Sequence, residues 1–147
     1  MNVEKCQEQL KSYYNTFSKV KIIPWDDSSS IQIDEIYTPL SWVRDHRKPS
    51  GVTQEELEDY TDMFKEKPTR MLVYGRPGIG KSTFCKKAAY DWSKALREIL
   101  MNFCILLLIK LRDVCDVGNI RDVLRASKLL ASDGPISVDS LYDYITN

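Results

Sequence analysis

Apolar positions near the start of the chain recur at helical spacing: Val3, Cys6, Leu10, Tyr13, Tyr14 and Phe17 fall on one face, with Lys5, Glu8 and Lys11 outside it. This predicts an amphipathic helix that packs on the rest of the molecule. Pro24 and the Asp26–Ser30 cluster break regular structure, and the alternation at Ile31 and Ile33, interrupted by Pro39, predicts extended segments and turns. His46 to Gly51 reads as an exposed loop. Thr53 and Glu56 have capping-box spacing, and Leu57, Tyr60 and Phe64 follow at helical intervals, so a helix is expected as far as Lys67, ended by Pro68.

The pattern then changes period. Met71 to Tyr74 is a short apolar run ending at glycine, the signature of a buried strand. Phe84, Ala88, Trp92, Ala95, Leu96 and Ile99 predict a helix of about five turns from Lys81. Phe103 to Leu111 is continuously apolar apart from Lys110 and reads as a strand buried on both faces. Ile120, Val123, Leu124 and Leu130 predict a helix over 120–131. A last helix is expected around 140–145, capped by Ser137 or Asp139.

Composition narrows the class. The chain has 147 residues, 43% hydrophobic and 29% charged, the profile of one globular domain. Its 21 basic and 21 acidic residues cancel, so no global field points to nucleic acid or an anionic membrane. Four cysteines without a C-x-x-C pair, and the single His46, argue against a zinc site. The most apolar run, Ile99 to Ile109, is far short of the roughly 20 residues that span a bilayer. With no export signal at the N-terminus, a cytoplasmic location is expected.

The distinctive chemistry is the stretch Gly75-Arg76-Pro77-Gly78-Ile79-Gly80-Lys81-Ser82, which fits G-x-x-x-x-G-K-[ST]. Glycines let backbone N–H groups approach a phosphate, and the following helix aims its free N–H groups at the same charge. Lys81 supplies a full positive charge, the Ser82 hydroxyl suits Mg²⁺, and Thr83 can reach a further phosphate oxygen. Gly75 to Thr83 are therefore the expected binders of ATP or ADP with Mg²⁺. Asp113 lacks the spacing of a Mg²⁺-orienting acid, because Lys110, Leu111 and Arg112 intervene. His46 reads as a solvated residue and Cys85 as a packing residue, although a helix end can lower a thiol pKa.

Beyond the loop, the chain resembles the NACHT nucleotide-binding domain of NOD-like receptors. The resemblance rests on "LKSYYNTFSKVKIIPW" with "IDEIYTPLSWV", on "MLVYGRPGIGKSTFCKKAAYDW", and on "FCILLLIKLRDV". Family loops more often carry alanine or glycine at the Pro77 position and threonine at the Ser82 position. The resemblance implies an α/β fold: part of a three-layer P-loop NTPase, with parallel strands flanked by helices, preceded by an N-terminal helical segment. It implies a helical lead-in over residues 1–67 and a partial nucleotide-binding domain over 68–147, truncated before the Walker B strand. It further implies an ATP/ADP-dependent signalling switch, related to innate immunity, with homotypic NACHT partners and with Thr38-Pro39-Leu40 near the adenine. Without a Walker B strand or sensor arginine, binding with little or no hydrolysis is expected, and no catalytic residue is assigned. Two other readings remain: a small P-loop phosphotransferase, and a non-catalytic fragment that pairs with full-length relatives.

Overall fold

A computed structural model describes residues 2–21, 25–26, 28–114, 118–130, 134 and 136–146. The expected break at Pro24 therefore falls outside the described residues. Helix α1 (Val3–Phe17) forms as its spacing predicts. The Asn2 side chain accepts from the Lys5 N–H at 3.1 Å, satisfying one free donor at the start. Cys6, Leu10 and Tyr14 make its buried stripe. Ser18 ends it, with both its backbone N–H and its hydroxyl donating to the Tyr14 carbonyl.

Strands β1 (Lys19–Lys21) and β2 (Ser30–Gln32) pair antiparallel, and a single turn, α2 (Ile33–Ile36), buries Ile33. Strands β3 (Trp42–Lys48) and β4 (Gly51–Leu57) form a hairpin in register from Trp42 opposite Leu57 to Lys48 opposite Gly51. The helix expected from Thr53 is therefore wrong: Thr53 pairs with His46 and Glu56 with Val43. The turn at Pro49 and Ser50 and the cross-strand bond between His46 Nε2 and Glu55 (2.8 Å) favour the ladder. The exposed loop expected over 46–51 shrinks to that turn. A capping box does occur six residues later, where Asp59 and Asp62 cap a 3-10 turn at Tyr60–Phe64.

The expected parallel sheet is overturned. Among the described residues the sheets are two separate antiparallel pairs, and neither contains Met71–Tyr74 or Phe103–Leu111. The molecule is thus not a partial three-layer P-loop NTPase fold. Met71–Tyr74 forms no ladder, and Leu72 is 85% exposed and Tyr74 71%. Side chains from distant helices hold Phe103–Ile109 instead. Gln7 Nε2 donates to the Cys104 carbonyl at 2.7 Å, and Trp92 Nε1 to that of Phe103 at 3.0 Å. The Tyr14 hydroxyl donates to the Leu106 carbonyl (2.9 Å) and accepts from the Leu108 N–H (2.8 Å). These bonds satisfy backbone groups that a neighbouring strand would otherwise satisfy, while Ile105 to Ile109 pack sideways on the core.

Helix α3 (Lys81–Ser93) starts where expected but is shorter. Ala95 takes a left-handed φ of 55°, Leu96 N–H donates to the Asp91 carbonyl and Ala95 N–H to that of Trp92, a Schellman ending. A 3-10 turn at Glu98–Asn102 follows. Helix α4 (Ile120–Ala126) also stops early, with Lys128 at φ 54°. Helix α5 (Val138–Thr146) begins with the Ser137 hydroxyl accepting from the Ser140 N–H, one of the two caps expected. One core joins α1, α3, α4 and α5 through Leu10, Tyr14, Ala89, Trp92, Leu124 and Leu141.

Removing the Tyr14 hydroxyl should strand the Leu106 carbonyl and the Leu108 N–H. Tyr14→Phe is expected to lower stability by about 1–3 kcal/mol in urea unfolding and to speed hydrogen exchange at Leu108. Unchanged stability with an equally protected Leu108 amide would contradict this role.

Candidate phosphate-binding loop

The loop is positioned by the first turn of α3. Phe84 is buried there, with its ring centre 4.5 Å from that of Trp42 in β3 and 5.3 Å from that of Tyr60. These aromatic contacts fix the start of α3 against the hairpin. On the other side, the Tyr74 hydroxyl donates to Asp45 in β3, tying down the segment that leads into the loop. The sequence thus produces extended segment, glycine turn and helix locally, without the sheet expected beneath them.

Within the loop, Gly78 has φ 76° and Gly80 φ 105°, a region that side chains with a Cβ disfavour. Ile79 N–H donates to the Arg76 carbonyl at 3.3 Å, closing the turn. Gly80 is the N-cap of α3 and offers no side-chain cap, so the N–H groups of the first helical turn stay open to an external acceptor. The Lys81 ammonium folds back over the loop and donates to the carbonyls of Gly75 (2.8 Å) and Arg76 (2.9 Å). Gly75, Arg76, Pro77, Gly78, Ile79, Ser82 and Thr83 are all exposed. The nine expected site residues are therefore brought together in one accessible turn, with an ammonium at its mouth and a positive helix end beside it.

Among the described residues, no group of three His, Cys, Asp or Glu side chains could hold a metal. Ser82 supplies one hydroxyl, which fits an Mg²⁺ ion carried in by phosphates rather than one resident in the protein. Asp113 lies in a 3-10 turn at Leu111–Asp113 rather than at the end of a strand. His46 sits in β3, half-buried and bonded to Glu55, rather than in a loop. Cys85 is exposed as a residue, yet partial desolvation pushes its thiol up, against the lowering that a helix start can cause. Leu40 approaches within 3.7 Å of the place a Cβ on Gly80 would occupy. Beside it opens a cleft of about 260 Å³ lined by Pro39, Leu40, Trp42, Glu56, Leu57 and Glu58.

The sequence reading missed the anchor of α3. Asp91 is fully buried and holds three partners: Lys87 one turn earlier, the Tyr60 hydroxyl at 2.6 Å, and Arg97 Nε at 3.8 Å. Arg97 also reaches Asp59 at 3.3 Å. The available signal was an acid between the apolar Tyr90 and Trp92, with a lysine at i−4. Burial, then the hydrogen bond to Asp91, pushes the Tyr60 phenol far above its ordinary value of 10.0. Tyr14 is raised too, chiefly by burial.

Among the described residues, no helix is long and apolar enough to cross a membrane. Compared with protein-family models, curated proteins and solved structures, the chain matches none.

Tyr14 and Tyr60, the most strongly raised of the phenols, set an alkaline limit. Each binds its proton more tightly in the folded state, so its contribution is complete below the unfolded value near 10 and fades as pH climbs beyond it. Unfolding free energy should therefore decline above about pH 10, and less steeply in Tyr60→Phe. Denaturant titrations across that range check this, and identical slopes in both proteins would contradict it.

Proposed function

We propose that Gly75–Thr83 binds the phosphate chain of ATP or ADP, with Mg²⁺ entering on the nucleotide. The chain then serves as the nucleotide-gripping element of a cytoplasmic NACHT-type signalling switch. The observation that carries this is the Lys81 ammonium, turned back onto the Gly75 and Arg76 carbonyls at the uncapped start of α3. A phosphate entering there meets a full positive charge, open N–H groups and the positive end of a helix. Support comes also from the left-handed glycines, which open the backbone to an anion. The cleft beside Leu40 lies next to the loop and can receive the nucleoside, where Glu56 and Glu58 offer acceptors to ribose hydroxyls or an exocyclic amine. When bound, Mg²⁺ would neutralise phosphate charge, with the Ser82 hydroxyl as its protein ligand.

Chemistry stops at binding in this reading. Among the described residues, no carboxylate is bonded to Lys81, Ser82 or Thr83 to activate a water. The phosphotransferase alternative needs free cations over an acceptor, but Arg121 and Arg125 are engaged with Asp139 at 3.5 and 2.9 Å.

Titration of a fluorescent ATP analogue tests the reading. Lys81→Ala should bind roughly 10- to 100-fold more weakly, from the loss of about 1.5–3 kcal/mol of charged hydrogen bonding. Equal binding by the two proteins would refute the role of Lys81.

A further inference from the structure

Two lysines from separate segments converge on one aromatic ring. Lys86 Nζ, on α3, lies 5.0 Å from the centre of the Phe17 ring, and Lys110 Nζ lies 4.6 Å from it. Phe17 is the last residue of α1, so both ammonium groups also sit near the negative end of that helix. The ring and the helix end attract each cation modestly, while the two cations repel one another. Burial and the Lys110 charge accordingly hold the Lys86 ammonium below its ordinary value. The other lysines at this end of α3 are served by oxygen: Lys81 by two carbonyls and Lys87 by Asp91. Among the described residues, neither Lys86 nor Lys110 has a carboxylate or carbonyl partner. Asp113 acts on Tyr13, which stacks on Phe17 at 5.4 Å, but it is not ion-paired to either lysine. Among the described residues the pair therefore has no counter-charge.

Its place on α3 says where that counter-charge would come from. Lys86 follows Ser82 by four residues and Thr83 by three, which puts the three on one helical face with Cβ atoms about 5–6 Å apart. Cα–Cβ bonds tilt towards the helix start, so the flexible Lys86 stem can swing from Phe17 to the space over Ser82. Lys110 ends the segment whose residues Ile105 to Ile109 pack on the core, which fixes its backbone at the same end.

We propose that Lys86 and Lys110 together receive the terminal phosphate of a nucleoside triphosphate held at the Gly75–Thr83 loop, so that charge separates triphosphates from diphosphates. The proposal rests on the loop being a phosphate site. The loop and Lys81 hold the first two phosphates, and the third extends along the Ser82 face to the two unpaired ammonium groups. Diphosphates do not reach them.

Calorimetric titration of the full chain with a non-hydrolysable ATP analogue and with ADP, both with Mg²⁺, tests this. The unaltered chain should bind the triphosphate about tenfold more tightly than ADP. Lys86→Gln with Lys110→Gln should lose that preference while keeping its ADP affinity, which also shows that the variant is folded. Lys110 is exposed, so Lys110→Gln alone should reduce the preference without disturbing packing. Equal weakening towards both nucleotides, or an undiminished preference in Lys110→Gln and the double variant, would overturn the proposal. No preference in the unaltered chain, with ADP still bound, would overturn it while leaving the loop reading intact. Absence of any nucleotide binding by the unaltered chain would overturn both.

Discussion

A fully buried carboxylate dictates how the pieces of this molecule meet. Asp91 has no water contact, and an uncompensated charge in that position would cost several kcal/mol. Its compensation comes from three directions: Lys87 on the same helix, Tyr60 after the hairpin, and Arg97 beyond the helix end. Meeting all three fixes α3 against the 3-10 turn and the returning chain. The same turn places Tyr60 on Phe84, in the first turn of α3. The buried charge thus orients the helix whose far end carries the glycine loop, and aligns that loop with the Leu40 cleft.

A second constraint governs the apolar segment Phe103–Ile109. Its backbone groups must find partners somewhere, and no strand among the described residues pairs with it. Tyr14 acts as a substitute, donating to one residue and accepting from another two positions on. Gln7 and Trp92 secure the start of the segment. The outcome is an extended run held edgewise by side chains, with its apolar side chains turned partly to the core and partly to solvent.

These two devices explain what could be read in the sequence. Helix α1, the start of α3 and the Ser137 cap of α5 were legible because spacing and caps are local properties. The helix expected from Thr53 failed because capping-box spacing can also occur in a strand, and the cross-strand bond of Glu55 to His46 is invisible in one dimension. The parallel sheet failed for a similar reason. Periodicity identified an apolar run at Phe103–Leu111, but the partners of its amides lie roughly ninety residues away on α1. The glycine turn and the helix start at Lys81 were legible, since they depend on contiguous residues. Asp91 and the lysine pair at Phe17 were not, since burial and convergence are properties of the fold.

In the function proposed above, the uncapped start of α3, with Lys81 folded over it, takes phosphate. Backbone amide resonances report on this directly. Adding Mg·ADP should shift the amides of Gly78, Gly80, Lys81 and Ser82 most strongly and to saturation, and adenosine alone should leave them in place. Saturable shifts that spare those four amides, or equal shifts with adenosine, would contradict the account.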